Sequence, residues 1–242
     1  MASAFKWLSG LCLLLAVVAL SFAGYAHMQN RQDMNFDKGL GKEVTQQAED
    51  SLLDIDFAAL KERNPDTVGW IRLPGTIINY PVVQVEDNKT YLDKRFDGAA
   101  TEYGTIFADH RSKIYAGNNI ILYGHNQSYA NPVKFSLLHK YLDEPAYVND
   151  HPIFEFYKAE GGIKRRYKVF SAFMLDTNNK ADVNAVYRNV PDNDYANYLE
   201  MLRNRSSIQA EAELYENKQT VILSTCSNRS NDERAVVCLI EE

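Results

Sequence analysis

Short apolar runs alternate with turn residues over most of the chain after Pro65. The runs are rich in β-branched and aromatic side chains, which is typical of β-strands separated by turns. They predict eight strands, over residues 68–73, 77–85, 105–108, 119–123, 153–157, 167–175, 220–224 and 235–240. Eight short strands favour a closed or nearly closed β-barrel, so the expected fold class is mainly β with peripheral helices.

A helical period appears in three places, once before the strand pattern and twice within it. It predicts a short helix before the first strand and two peripheral helices, over residues 52–60, 133–142 and 194–203. Asp54 or Asp56 can cap the first of these helices. The third lies in the long connection before the strand at 220–224. Long ordered connections in compact domains are often functional, so this insertion is expected to shape a binding groove.

The N-terminal segment differs from the rest of the chain. Residues 8–26 form an apolar run without Asp, Glu, Lys or Arg, and the length of the run suits a membrane span. Lys6 precedes it, a bias that favours an N-terminus inside the cell. A signal peptide cleaved near residues 21–23 is the alternative, and either one places the following domain outside the cytoplasm. The expected division is a signal-anchor, a polar stalk with helical potential, and a globular domain, over 1–26, 27–50 and 51–242.

Composition supports one folded domain and argues against nucleic acid as a partner. The chain has 242 residues, 45% hydrophobic and 24% charged, with a net charge of −6 and a pI near 5.5. An acidic chain is not expected to offer a broad phosphate-binding surface. The one basic cluster, at 164–166, alternates with apolar residues further along and indicates a solvated strand face.

Cys226 ends the apolar strand 221–225, where a rigid element would hold its sulfur at a loop. Such placement suits a nucleophile, although a thiol near its free pKa needs a cationic or basic neighbour to supply thiolate. Three cysteines occur in the chain, and Cys12 lies in the apolar segment. A disulfide between Cys226 and Cys238 is therefore the structural alternative.

Among the five histidines, His125 has the most suggestive position, directly after the apolar run 120–124. Taken alone, a histidine at a strand end is more often packed or solvated. His110 lies next to Asp109, but no further ligand at a recognisable spacing supports a metal site. The other three are expected to be surface or structural residues: His27, His139 and His151.

Arg234 begins the last predicted strand, eight positions after Cys226. Consecutive antiparallel strands joined by such a loop would bring the two residues to the same end of the sheet. A guanidinium is permanently charged and donates several hydrogen bonds, which suits stabilisation of an oxyanion. An ion pair with Asp232 or Glu233 is the alternative.

Taken together, three motifs in this order resemble the signature of the sortase family. They are His125 in Tyr-Gly-His-Asn, Cys226 in Leu-Ser-Thr-Cys, and Arg234. The segments 64–71 and 80–84, together with the helical insertion, resemble class B of that family. This resemblance implies an eight-stranded sortase-type barrel with N-terminal helices and a helical insertion before the cysteine strand.

The resemblance also implies a two-step acyl transfer without a metal or an organic cofactor. Cys226 would attack the carbonyl after threonine in a C-terminal sorting motif of the Asn-Pro-X-Thr type, carried by a surface protein. His125 would protonate the leaving amine, and Arg234 would hold the oxyanion. An amine of a cell-wall precursor or of a pilin would then resolve the thioacyl enzyme.

Four further residues are implied as substrate contacts by the same resemblance: Asn88, Leu92, Tyr123 and Ser224. Tyr195 and Tyr198 in the insertion are either contacts or a packing stripe. The chain departs from the family at Ile222, where threonine is usual, and after Cys226, where some class B members carry an acidic residue. Two alternatives stay open: an exported cysteine peptidase that hydrolyses its substrate, and a noncatalytic surface-binding domain with a disulfide.

Overall fold

Residues 2–47, 52–126, 132–226, 230 and 232–242 are described by a computed structural model of the chain. Helix α1 covers Ala2–Val44. The chain divides into two units, Met1–Leu40 and Gly41–Glu242. None of the helices in the described part of the chain combines the length and the apolar character that a membrane span requires. The side chains of residues 8–11 lie outside the described part, and the anchor over 1–26 stays a prediction.

Eight strands of the second unit close into a barrel. In their order around the barrel they are β10 (Glu233–Glu241), β8 (Lys164–Asp176), β7 (Ile153–Lys158), β3 (Thr67–Arg72), β4 (Asn79–Val83), β5 (Ile106–Ala108), β6 (Asn119–Tyr123) and β9 (Thr220–Cys226). The β4–β5 and β6–β9 pairs are parallel, and the other pairs are antiparallel. Each predicted strand corresponds to one of these eight, which confirms the expected fold class.

The segment before the barrel is only partly the predicted helix. Strands β1 (Thr45–Gln47) and β2 (Leu53–Ile55) pair as a separate two-stranded sheet. The helical prediction is therefore wrong at 53–55, where Leu53 is buried and its N–H donates to the Tyr157 hydroxyl at 3.0 Å. Helix α2 follows at Phe57–Arg63, and Asp56 is its N-cap, accepting from the Ala59 N–H at 2.9 Å.

The other helices lie in the connections between barrel strands. Residues 133–142 form a 3₁₀ turn, Ser136–His139, followed by α3 at Lys140–Asp143. The insertion between β8 and β9 contains α5 and α6, at Lys180–Val186 and Tyr195–Asn204. Helix α6 matches the prediction, whereas α5 and the short α4, at Tyr147–Asp150, were not predicted.

Strand β9 is buried on both faces, which explains its continuous apolar sequence. Val221 and Leu223 belong to the core cluster inside the barrel. Ile222 belongs instead to a second cluster, which includes residues of α5 and α6. Since successive side chains of a strand point to opposite faces, β9 has one face in the barrel and one under the insertion.

Candidate active site

Cys226 and Arg234 are direct partners across the antiparallel pair β9–β10. By strand alternation Cys226 lies on the same face as Ile222, which is the outer face of the barrel beside the insertion. Partners that lie directly opposite each other have Cβ atoms about 4.5–5.5 Å apart. The Cys226 side chain is partly exposed. The structure therefore places Arg234 directly across the strand pair from a partly exposed thiol, and the guanidinium Nη1 donates to the Glu233 carbonyl oxygen at 2.8 Å.

The geometry excludes a disulfide between Cys226 and Cys238. Cys238 is paired with Ile222, four residues before Cys226 along β9. At about 3.3 Å per residue this separates the two cysteines by about 13 Å, whereas a disulfide needs Cα atoms within about 7 Å. Both thiols are free. Cys238 is buried, and burial raises the pKa of its thiol.

His125 follows β6 at the same end of the barrel. Strands β6 and β9 are parallel with Tyr123 opposite Ser224, and the Gly124 N–H donates to the Ser224 carbonyl at 3.2 Å. The same register places His125 level with Cys226. His125 Nε2 lies 2.7 Å from the Leu92 carbonyl oxygen, which can only accept a hydrogen bond. This contact orients the imidazole ring.

Gly104 provides the space in which His125 and Leu92 meet. Its φ of +56° is in the left-handed region, and a Cβ there would lie 2.5 Å and 2.7 Å from the Tyr91 and Leu92 carbonyl oxygens and 3.0 Å from His125 Cδ2. A side chain at this position would displace the hydrogen bond between His125 and Leu92. The sequence pattern gave no indication of this role.

His139 is the least expected neighbour of the cysteine. The sequence predicted a surface or structural role, and the structure excludes the surface position: His139 is 3% exposed, and its Nε2 lies 2.8 Å from the Cys226 carbonyl oxygen. Asn126 Nδ2 donates to the same oxygen at 3.0 Å. No sequence signal points to this contact, because the 3₁₀ turn that carries His139 reaches the end of β9 only in the folded barrel.

Asn88 and Tyr123, both predicted substrate contacts, meet at the fully buried carboxylate of Asp109. Asn88 Nδ2 and the Tyr123 hydroxyl each donate to Asp109 Oδ2 at 3.0 Å. Arg111 donates from Nε and Nη2 at 2.9 and 2.8 Å. Burial alone would raise the pKa of the Asp109 carboxyl, but the hydrogen bonds from Arg111, Asn88 and Tyr123 outweigh it and lower the pKa to about 2.

The other two predicted contacts differ in exposure. Leu92 is 42% exposed, whereas Ser224 is 1% exposed and shares a 2.7 Å hydrogen bond with the Tyr187 hydroxyl. Tyr187 follows α5 and packs edge-on against the Tyr123 ring at 5.7 Å. It is a residue of this site that the sequence did not indicate.

The insertion packs on the barrel through its aromatic side chains. Tyr195 and Tyr198 are 1% and 0% exposed. The Tyr195 hydroxyl donates to the Asn118 carbonyl at 2.8 Å and the Tyr198 hydroxyl to the Val186 carbonyl at 2.7 Å. These two residues form the packing stripe rather than a substrate surface.

The described residues contain no cluster of three His, Cys, Asp or Glu side chains that could hold a metal ion. His110 Nδ1 lies 3.7 Å from Asp109 Oδ1, a carboxylate that already accepts hydrogen bonds from Arg111. Ser227 and Asn228, where the sequence departs from some class B members, lie outside the described residues. The strand register brings the His125 imidazole and Arg234 level with the Cys226 thiol, while the His139 imidazole contacts the Cys226 carbonyl oxygen.

A thiol, an imidazole and a guanidinium at one end of a β-barrel are the groups that cysteine acyl-transfer chemistry requires. A sequence profile of the sortase domain family matches residues 71–239. Sortase B of Staphylococcus aureus is 30% identical over 230 residues, which cover 92% of this chain and 91% of that protein.

Solved structures agree with the sequence match. Sortase B from Bacillus anthracis, in complex with AAEK1, superposes with a TM-score of 0.73 at 26% identity, covering 89% of this chain and 98% of that one. The Staphylococcus aureus sortase B–substrate complex gives a TM-score of 0.67 at 32% identity, covering 77% and 84%. The chain belongs to the sortase family, class B, and is a cysteine transpeptidase.

Proposed function

We propose that this transpeptidase cleaves a C-terminal sorting motif of the Asn-Pro-X-Thr type after threonine, and transfers the acyl group to an amine of a cell-wall precursor or of a pilin. The observation that carries the chemistry is the cross-strand pairing of Cys226 with Arg234 on the outer face of the barrel. The preference for this motif rests on the similarity to class B relatives.

In the first step, the Cys226 thiolate attacks the carbonyl carbon that follows threonine. A C–S bond forms, and the carbonyl oxygen takes the electron pair as an oxyanion. Arg234 lies opposite Cys226 and can donate to that oxyanion with a charge that is always present. When the C–N bond breaks, protonated His125 gives its proton to the leaving amine, and a thioester results.

In the second step, the acceptor amine attacks the thioester carbon. The C–N bond forms, the C–S bond breaks, and the Cys226 thiolate is regenerated. His125 takes the proton that the attacking amine loses. The same imidazole thus acts as acid in the first step and as base in the second, as a hydrogen bond to the Leu92 carbonyl keeps its ring in one orientation.

We infer that the sorting peptide binds along the face that carries Asn88, Leu92, Tyr123 and Ser224. Supporting this, Asn88 and Tyr123 are joined through Asp109, and Leu92 is joined to His125. Ser224 lies two residues before Cys226 on the same strand. Because Ser224 is nearly inaccessible, its contribution to binding would pass through Tyr187.

We also propose that residues 1–26 anchor the enzyme in the cell membrane with the N-terminus inside, that 27–50 are a stalk, and that the catalytic domain over 51–242 acts outside the cytoplasm. The support is the uncharged apolar run at 8–26 and the lysine that precedes it. Surface proteins with a C-terminal sorting signal would then meet the enzyme as they are exported.

The test is a partition experiment with an Asn-Pro-X-Thr peptide and a series of amine concentrations. We expect the acyl group to appear in an amide product whose share rises with amine concentration, because the amine competes with water for the thioester. An Asn-Pro-X-Ala peptide serves as the control for the motif. Hydrolysis that no amine alters would contradict transpeptidation and favour a peptidase.

A further inference from the structure

The carbonyl oxygen of Cys226 is held by two side chains at the point where a strand ladder ends. The backbone pairing of β6 with β9 reaches Gly124, whose N–H donates to the Ser224 carbonyl at 3.2 Å. Two residues further on, the Cys226 carbonyl accepts from Asn126 Nδ2 at 3.0 Å and from His139 Nε2 at 2.8 Å. Since a carbonyl only accepts, both nitrogens donate to it.

The two donors come from different parts of the fold. Asn126 directly follows His125, whereas His139 ends the 3₁₀ turn Ser136–His139, which packs against β9 and β10. His139 is 3% exposed. Near its start, the same segment is tied back to the His125 backbone, because the Phe135 N–H donates to the His125 carbonyl at 3.0 Å. The two hydrogen bonds therefore link the strand end of the cysteine to the segment that follows the histidine.

A residue at the end of a strand tends to fray, because it has neighbours on one side only. Cys226 is the last residue of β9 and is paired with Arg234 on the β10 side. Its alignment with Arg234 requires that its backbone stay in one position. On the β6 side, where the backbone hydrogen bonds of the strand pair have ended, the side chains of Asn126 and His139 restrain the Cys226 backbone instead.

We propose that His139 is a positioning residue for the nucleophile, which together with Asn126 clamps the Cys226 carbonyl and keeps the thiol opposite Arg234. This inference rests on the proposed role of Cys226. His139 does not touch the substrate or the reacting atoms, so its effect falls on the rate of acylation and not on peptide binding.

A kinetic comparison of full-length variants tests the clamp. His139→Leu removes the donor. Because a misplaced reacting group slows the reaction without weakening substrate binding, we expect kcat to fall roughly 10- to 100-fold and KM to stay close to that of the wild type. His139→Gln keeps an N–H donor of similar reach and is expected to retain most of kcat. His151→Leu is the matched control, because that histidine packs on Tyr147 at the end of α4 and is expected to leave kcat unchanged.

A spectroscopic readout separates the clamp from the catalytic role. Cys226–Ser227 is the only Cys-Ser pair in the sequence, so labelling with carbonyl-¹³C cysteine and ¹⁵N serine gives one HNCO signal. We expect the Cys226 carbonyl resonance to move upfield in His139→Leu and in Asn126→Ala, and to stay in place in His151→Leu. A resonance unmoved in both donor variants overturns the clamp.

The remaining outcomes are also decisive. A normal kcat in His139→Leu, or a kcat in His139→Gln as low as in His139→Leu, overturns the positioning role. If His139→Leu does not fold, Asn126→Ala and His139→Gln carry the test with the same two readouts. If the wild type transfers no acyl group but the resonance moves as expected, the proposed function fails while the contact itself stands.

Discussion

Cys226 is contacted by residues from three separate elements. Arg234 faces it from β10, and the side chains of Asn126 and His139 hold its carbonyl oxygen. His125 is fixed in turn through Leu92. A thiol in this position is restrained on both sides of its strand while its sulfur stays accessible. Such restraint matters because acyl transfer depends on the alignment of nucleophile, acid and oxyanion donor.

Replacing Arg234 with lysine tests the oxyanion role at this scale. The lysine keeps the charge but loses the planar fork, so kcat is expected to fall about 10²-fold, or roughly 2.7 kcal/mol of transition-state stabilisation. Steady-state kinetics with a sorting peptide measures the loss. Arg188→Lys is the control, because Arg188 pairs with Asp194 at 2.6 Å in the insertion. Equal kcat values for the two variants would contradict the role.

Gly104→Ala tests the support of His125. The left-handed φ of +56° costs an alanine roughly 1–2 kcal/mol, and its Cβ would meet the Leu92 carbonyl oxygen at 2.7 Å. Gly162→Ala is a matched control, with a φ of +60° and open space around the Cβ. In urea unfolding, we expect Gly104→Ala to lose more stability than Gly162→Ala. In peptide turnover, we expect kcat to fall in Gly104→Ala only. Equal losses in both variants would show that strain alone acts.

At the scale of elements, the loop that follows β5 holds two of the predicted substrate contacts in place. Asp109 follows β5 directly and gathers Asn88 and Tyr123 on one oxygen. In the sequence, Asp109 drew attention only as the neighbour of His110 in a weakly supported metal site. The sequence does not distinguish a buried carboxylate with several hydrogen-bond donors from a surface acid, because the donors come from other segments of the chain.

Asp109→Asn tests this connection through its pH dependence. The folded-state pKa of Asp109, about 2, lies below the ordinary 3.8, so the carboxylate stabilises the fold above about pH 4 and loses that effect as the pH falls through 2. A difference of this size corresponds to about 2 kcal/mol. Unfolding free energies of wild type and variant should therefore differ at pH 7 and converge towards pH 2.

The control for Asp109→Asn is Asp97→Asn. Arg95 forms the same fork with Asp97, at 2.9 and 2.7 Å, but that pair is on the surface. Exposed ion pairs contribute less than about 1 kcal/mol, so this variant should stay close to the wild type at every pH. A difference between wild type and Asp109→Asn that does not change with pH would argue against the carboxylate as the stabilising group.

For the whole molecule, barrel closure brings together residues that are distant in sequence. The strands were predictable, because their β-branched runs are short and well separated. The pairing of β6 with β9 could not be predicted, because the two strands are about 100 residues apart. The contacts of His139 and Tyr187 depend on that pairing and could not be predicted either. Short helices such as α4 owe their existence to packing rather than to a periodic sequence.

Thiol accessibility is a prediction at this scale. In a Cys12→Ser background, iodoacetamide should modify Cys226 in the native protein and Cys238 only after unfolding, because Cys238 is fully buried. Peptide mass spectrometry identifies the modified residue. A native protein with Cys226 and Cys238 joined would contradict the barrel register.

The most direct test of the central claim is the mass of the enzyme during turnover. Mixed with an Asn-Pro-X-Thr peptide and quenched with acid, the protein should gain the mass of the acyl fragment that ends in threonine, on the proteolytic peptide that contains Cys226. An added amine should discharge the adduct, and Cys226→Ala should form none. Peptide cleavage without an adduct on Cys226, or with normal turnover in Cys226→Ala, would contradict transpeptidation through this thiol.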